Sequence, residues 1–350
     1  MKRFGLASVI VSCLVFTLDS GLTHGQGGGN PFIGHTDRGD IVHVLPAPAS
    51  IRNPHDQEPV IAPPQGGLSI YKASYGSSNL VNHGGPQISG AGFFAIYWNS
   101  TVANAGGSGV TSLGYPNIQA QISAFTAAFS DGHHYSESDA GADYTVIQQY
   151  GRTNPISSAP LSPALTAVGY YIDPNNPTTG YSSTIADSDI QAYLSGLLAS
   201  GAVPLSTEIV YGLYFPAGMT VTLNNSASCT NFCGYHGHFL VSGQDVKYAV
   251  FPFTNCLACS LSGLSVSDIL TIVTGHEIRE SVTDPDLNAW YDHSGNEADD
   301  KCAWHHLYQT ANGGFWVQPE FSNGGTVTAS GFTTTYPQGS RSSGGCVVAK

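Results

Sequence analysis

Residues 267–285 constrain this chain more than any other stretch. Ser267-Asp268 marks a helix start and Pro285 a stop, because proline cannot continue a helix. Between them Ile269, Val273, His276 and Glu280 fall on one stripe of a helical surface. The apolar pair would anchor the helix on a core and leave the polar pair at a cleft wall. Within it, His276-Glu277-Ile278-Arg279-Glu280 is an HExxE segment. Zincins present two metal ligands in this way, one helical turn apart, with the intervening Glu277 placed to act on a metal-bound water. The usual second ligand is histidine, but a carboxylate binds zinc at a similar distance. The plainer alternative is a helix carrying a hydrogen-bonded histidine and a surface glutamate.

A zinc site needs a third protein ligand and an open position. Asp286 stands at the spacing where metzincin-type motifs place their last ligand, although Val282-Thr283-Asp284-Pro285 replaces the glycine turn of those motifs. Glu297, inside Asn296-Glu297-Ala298-Asp299-Asp300, fits the gluzincin arrangement and is the preferred third ligand. Asp300 is then expected to orient a ligand imidazole. Two carboxylates and one histidine make a harder site than usual, so zinc is the expected ion, with calcium or manganese as alternatives.

Met1-Lys2-Arg3 followed by the apolar run from Phe4 to Leu18 has the form of a signal peptide, assigned to residues 1–25. That run is too short to span a bilayer, so export into an oxidising compartment is expected. Beyond Cys13, the cysteines Cys229, Cys233, Cys256, Cys259, Cys302 and Cys346 then suggest disulfides. Cys229/Cys233 and Cys256/Cys259 also resemble the two halves of a zinc ribbon, but exported thiolates would oxidise before finding zinc. A net charge of −13 with only 11 basic residues argues against nucleic acid or anionic lipid as partner.

Residues 26–67 combine a glycine run with many prolines and lack sustained periodicity, so a linker or pro-segment is expected there. The folded domain is assigned to 68–350. Ala91–Trp98, Asp143–Tyr150, Ala167–Ile172, Glu208–Phe215 and Val246–Phe253 have strand character, as does the short Phe315–Val317. Pro116–Ser130 places Ile118, Ile122, Phe125 and Phe129 at helical spacing, and Asp189–Leu198 is a further helix with Asp187 or Ser188 as candidate cap. The alternation predicts an α/β or α+β fold: one domain with a mixed sheet flanked by helices, a zincin-like active-site helix and disulfide stabilisation.

His276-Glu-Ile-Arg-Glu-Ser-Val-Thr-Asp-Pro-Asp-Leu-Asn-Ala-Trp-Tyr-Asp292 and Gly295-Asn-Glu-Ala-Asp-Asp-Lys-Cys302 resemble the EXORDIUM (phosphate-induced protein) family, in its microbial branch. His83-Gly-Gly-Pro86, Cys233-Gly-Tyr-His-Gly237 and Cys256-Leu-Ala-Cys259 agree with it. The resemblance implies an extracellular, wall-associated protein. Many plant members lack the His-Glu pair that this chain keeps.

Cys233-Gly-Tyr-His236-Gly-His238 puts two histidines on one face if extended, where they could line the cleft, stabilise an oxyanion or bind metal. A disulfide-fixed loop with backbone-bonded histidines is the preferred alternative. His83 is expected in a turn, and His305 and His306 at the surface. The function expected is a secreted metal-dependent hydrolase of the zinc peptidase type, monomeric, acting on a peptide, protein or cell-wall substrate. Glu277 would be the base, with Tyr291 or His236 stabilising the oxyanion. The competing expectation is a non-enzymatic, cell-wall-associated protein in which the metal site is structural or vestigial.

Overall fold

A computed structural model describes residues 29–51, 69–129, 146–151, 165–176, 183–310, 312–329, 332–336 and 344–348. The signal-peptide assignment at 1–25, residues 52–67 of the proposed linker and residues 143–145 of one expected strand lie outside the described residues. Within the described residues, seven strands form the main sheet. In chain order they are β1 (Ile33–His35), β2 (Ile41–Pro46), β3 (Gly92–Tyr97), β4 (Thr166–Ile172), β5 (Ile209–Tyr214), β6 (Phe232–Val241) and β7 (Gln244–Phe251).

The spatial order is β1-β2-β6-β7-β5-β3-β4. One half of the sheet, β1-β2-β6-β7, is antiparallel, and the pairs β7/β5, β5/β3 and β3/β4 are parallel. This is the mixed sheet expected. The central strands β3 and β5 are buried on both faces, which is why they appear in the sequence as continuous apolar runs rather than alternating ones. Strands β6 and β7 are joined by a tight turn at Ser242-Gly243, where φ is 52° and 81°. Two successive positive φ values suit a two-residue hairpin, and the turn sets the register of Tyr235–Val241 on β7.

Three long helices cover the sheet: α1 (Ile118–Phe129), α2 (Asp187–Ser200) and α3 (Val266–Thr283). Helices α1 and α3 share one core with Phe93, Ala95, Tyr97, Ala249 and Phe251. Helix α2 packs Ile190, Leu194 and Leu197 on the opposite face, against Ile96, Tyr211 and Leu213. The four apolar residues picked out in α1 are all buried, each worth roughly 1.5–3 kcal/mol relative to exposure.

Helix α3 differs from an ordinary surface helix in that all 18 of its residues are buried. Its start is capped by Ser265 rather than by Ser267-Asp268: the Ser265 hydroxyl accepts from the Asp268 N–H and the Asp268 carboxylate accepts from the Ser265 N–H. The sheet covers one side, and the segment returning from residue 284 covers the other, through Trp316 and Val317 among others.

Three sequence expectations are corrected. Ile33–His35 and Ile41–Pro46 lie inside the stretch expected to be linker, yet they are strands of the main sheet, because β2 pairs with β6 and β1 with β2. Val146–Tyr150 is a 3-10 turn rather than a strand, with the Tyr150 hydroxyl donating to the Phe321 carbonyl. Neither Asp187 nor Ser188 caps α2: the N-cap is Ala186, and the Asp187 carboxylate instead accepts from Tyr235, Tyr248 and Gln191.

The cysteines pair as Cys229–Cys256, Cys233–Cys259 and Cys302–Cys346, with Cα separations of 5.6, 5.7 and 5.7 Å. These separations suit disulfides and consume the thiolates a zinc ribbon would need. No helix among the described residues is long and apolar enough to cross a membrane.

Candidate metal centre

Helix α3 places His276 and Glu280 on one face, with the His276 Nε2 3.0 Å from Glu280 Oε2. Glu277 projects toward β6. There Gly234 lets the helix approach: a Cβ at that position would stand 2.3 Å from Val273 Cγ1 and 3.1 Å from Glu277 Oε1. The absence of a side chain on β6 is therefore what brings Glu277 against the sheet.

After α3 ends, the chain turns back and lays residues 297–300 along the helix. Arg279 holds this return. Its guanidinium is fully buried, donates to both Asp299 carboxylate oxygens, and donates to the Gln318 carbonyl at 3.1 Å. The Asp299 and Asp300 N–H groups donate to Glu280 Oε1 at 3.1 and 2.9 Å. One oxygen of Glu280 is thus fixed by backbone, while its Oε2 makes no hydrogen bond and faces the imidazoles of His276 and His236. The Glu297 N–H donates to Asp300 Oδ2 at 2.9 Å, and neither Glu297 carboxylate oxygen has a hydrogen-bond partner.

Two strands supply the remaining imidazoles. His43 on β2 is the direct cross-strand partner of His236 on β6. His43 Nδ1 lies 3.3 Å from Glu297 Oε1 and 3.6 Å from Asp300 Oδ2. His236 is fully buried; its Nδ1 is 3.1 Å from Glu277 Oε2, and its Nε2 is 3.6 Å from Glu297 Oε2. With Glu277 ionised, His236 Nδ1 must carry the shared proton and Nε2 presents a lone pair toward Glu297. His276 Nε2 completes the set, 3.8 Å from Asp300 Oδ1.

Burial raises the carboxyl pKa values of Glu277, Glu280 and Glu297 well above the usual range, and neighbouring carboxylates push each the same way. Burial lowers the His236 pKa well below that of a free imidazole, with the imidazoles of His43 and His276 adding to it. Arg279, the buried guanidinium, is committed to Asp299, with Glu320 3.9 Å away. Five carboxylates (Glu277, Glu280, Asp284, Glu297, Asp300) therefore converge with imidazoles, and among the described residues no lysine or arginine forms an ion pair with any of them. Buried carboxylates are stable only when protonated, paired or bound to a metal. The unbonded atoms Glu280 Oε2, both Glu297 oxygens, Asp300 Oδ1, His43 Nδ1 and His236 Nε2 are the donor set a divalent cation requires.

The cluster thus gathers the expected residues His276, Glu277, Glu280, Glu297, Asp300 and His236. His236 sits in a regular strand, which corrects the preference for a disulfide-fixed loop: Cys233 anchors the strand, and the strand continues through both histidines. Asp286 is not brought in. The chain leaves the helix axis at Asp284-Pro285, and Asp286 instead accepts from Lys247, near Asp245 and His238 in a partly exposed group. Tyr291 is also directed elsewhere: it lies in a two-residue strand paired with Val81–Asn82, and its ring stacks on His83 at 3.6 Å. His306 stacks on Tyr71 at 3.7 Å and is half-buried rather than free at the surface.

Sequence reasoning missed two residues. His43 lies in the stretch assigned to a linker; the signal was the apolar run Ile41-Val42-His43-Val44-Leu45, a strand pattern interrupted by one histidine. Asp284, on the turn after α3, accepts from the Asn288 and Ala289 N–H groups through Oδ1 and leaves Oδ2 without a hydrogen bond, in the carboxylate field of Glu297.

Fold and site together define an α/β protein with a mixed sheet and a buried histidine–carboxylate cluster between a central helix and the antiparallel half of that sheet. Comparison with protein-family models, curated proteins and solved structures finds no match to this chain.

Proposed function

We propose that this protein is an exported metal-dependent hydrolase of the peptidase type, with the His276/Glu280/Glu297 cluster as its metal centre. The observation that carries the reading is that unbonded buried oxygen and nitrogen atoms from α3, its return segment and two strands gather in overlapping groups that share Glu280. His276, Glu280 and Glu297 would hold the ion, with His43 and Asp300 beside them. Zinc suits the imidazoles, and the carboxylate-rich set also suits manganese or calcium. A bound divalent cation supplies Lewis acidity toward a carbonyl and lowers the pKa of water. Glu277, held by His236 through Oε2 and with Oε1 free of hydrogen bonds, is the group positioned to take the water proton and return it to the leaving amine. His236 fixes the orientation of that carboxylate. Export is supported by the three disulfide pairings, which persist in oxidising compartments.

One observation favours a second reading, a wall-associated, non-enzymatic protein of the EXORDIUM type with a closed metal staple. His276 is 1% exposed, and Glu277, Glu280, Glu297 and Asp300 are each 0% exposed. Structural metal sites are closed, whereas catalytic ones keep a position open.

The two readings separate on hydrolysis of fluorescein-labelled casein by metal-replete protein, beside Glu277→Gln. The hydrolase reading requires turnover that falls by about 10²–10⁴-fold in the variant while its metal content is unchanged. Undiminished cleavage by Glu277→Gln would sink the mechanism. Metal-replete protein that cleaves no casein under any divalent cation would favour the staple.

A further inference from the structure

We propose that the centre holds two divalent cations rather than one, bridged by Glu280 and Asp300; this rests on the metal-centre reading above and deepens it. Three ligand triads share Glu280: His276 with Glu280 and Asp300, His43 with Glu280 and Glu297, and His236 with Glu277 and Glu280; in the last, His236 and Glu277 already pair with each other, which leaves the first two to hold ions. Each contains a single imidazole, so one ion seated in either triad leaves the other imidazole and a carboxylate buried without a partner.

Asp300 points the same way. Its Oδ1 faces His276 Nε2 at 3.8 Å and its Oδ2 faces His43 Nδ1 at 3.6 Å, so its two oxygens address two different imidazoles. A carboxylate divided between two ligand sets is the arrangement of a bridge, and paired ions in hydrolytic sites sit about 3.5–4 Å apart. Glu280 has Oε1 tied to two backbone N–H groups, leaves Oε2 without a hydrogen bond 3.0 Å from His276 Nε2, and belongs to both triads.

The charge balance agrees. Glu280, Asp284, Glu297 and Asp300 are all fully buried, Glu277 is hydrogen-bonded to His236, and Arg279 is engaged by Asp299. A single dication would leave two of those four charges uncompensated in a place where unpaired carboxylates are strongly disfavoured. Two dications neutralise the set. The hydrogen-bonded pair His236–Glu277 remains beside them, with His236 Nε2 turned toward Glu297 Oε2 at 3.6 Å.

The test uses the full exported chain, dialysed against Mn2+ and freed of loose ions without chelator, with metal counted by plasma mass spectrometry and electron paramagnetic resonance. The expected result is two manganese per chain and a spin-coupled spectrum with hyperfine lines more closely spaced than those of an isolated ion. His43→Ala should reduce the count from two to one and convert the spectrum to that of a single ion. One uncoupled ion per chain in the unaltered protein would overturn the dinuclear centre and leave the single-ion reading standing. No bound ion would overturn both. Two coupled ions persisting in His43→Ala would remove His43 and its triad from the assignment. Should that variant not fold, the spectrum of the unaltered protein decides alone.

Discussion

His43 and His236 face each other across the antiparallel β2–β6 pair, with ring centroids 5.8 Å apart and planes inclined by 23°. Nearly two hundred residues of sequence separate them. The pairing ties a proline-rich N-terminal stretch to the centre of the molecule and makes β2 part of the site wall. Trp304 adds a second tie, its indole N–H donating to the Pro46 carbonyl at 2.8 Å.

A chain beginning at residue 68 should therefore weaken the proposed metal centre. Without β2, the edge of β6 is open and the His43 imidazole is missing. We expect the trimmed protein to hold less metal than the longer chain and to aggregate more readily, as measured by metal analysis and light scattering. Unchanged metal content in a soluble trimmed protein would show that β2 is dispensable.

Gly234 sets how closely α3 approaches β6. Gly234→Val should displace the helix, because even a Cβ there would be 2.3 Å from Val273 Cγ1. Overpacking of this kind costs about 1–3 kcal/mol. Urea denaturation would register the loss, and affinity for the proposed metal should fall with it because a displaced α3 carries His276 and Glu280 with it.

The Cys302–Cys346 bridge pins the end of the segment that carries Glu297 and Asp300. Replacing both cysteines with serine opens a closure spanning a sequence separation of 44 and should lower stability by about 2–5 kcal/mol. The companion expectation is faster metal release to a chromogenic chelator. A double variant of normal stability and normal release rate would contradict this role.

Asp187 offers a pH test away from the centre. Burial raises its pKa above the ordinary 3.8, despite the hydrogen bonds it accepts from Tyr235, Tyr248 and Gln191. The folded state therefore holds the proton more tightly than the unfolded state. Its contribution to stability is complete below the unfolded pKa and is lost as the pH rises through the folded value. Asp187→Asn cannot ionise, so the stability of wild type relative to the variant should decline as the pH rises above about 4. Urea midpoints measured for both proteins across that interval would check the sign; a difference that grows in favour of wild type would refute it.

Much of this was legible locally. Helix α3 follows from its periodicity and Pro285, although its cap is Ser265 rather than Ser267-Asp268, and the positions of His276, Glu277 and Glu280 on it follow from helical geometry alone. The buried strands β3 and β5 were visible as apolar runs, and the six cysteines beyond Cys13 all pair. Asp286 does not join the cluster of His276 and Glu280, because spacing along the chain does not reveal the direction of the turn after a helix.

Sequence by itself therefore determined one wall of the site: a helix whose hydrogen bonds are all local and whose side-chain directions repeat with a known period. Tertiary structure alone decided the opposite wall. His43 reaches the cluster only through the register of β2 on β6, and His236 only through the register set by the Ser242-Gly243 turn. Strand pairing joins residues with no fixed sequence separation, and a one-residue slip would turn every side chain to the other face. The shared use of Glu280 by several ligand triads is likewise a product of packing, since its neighbours come from four separate stretches of the chain.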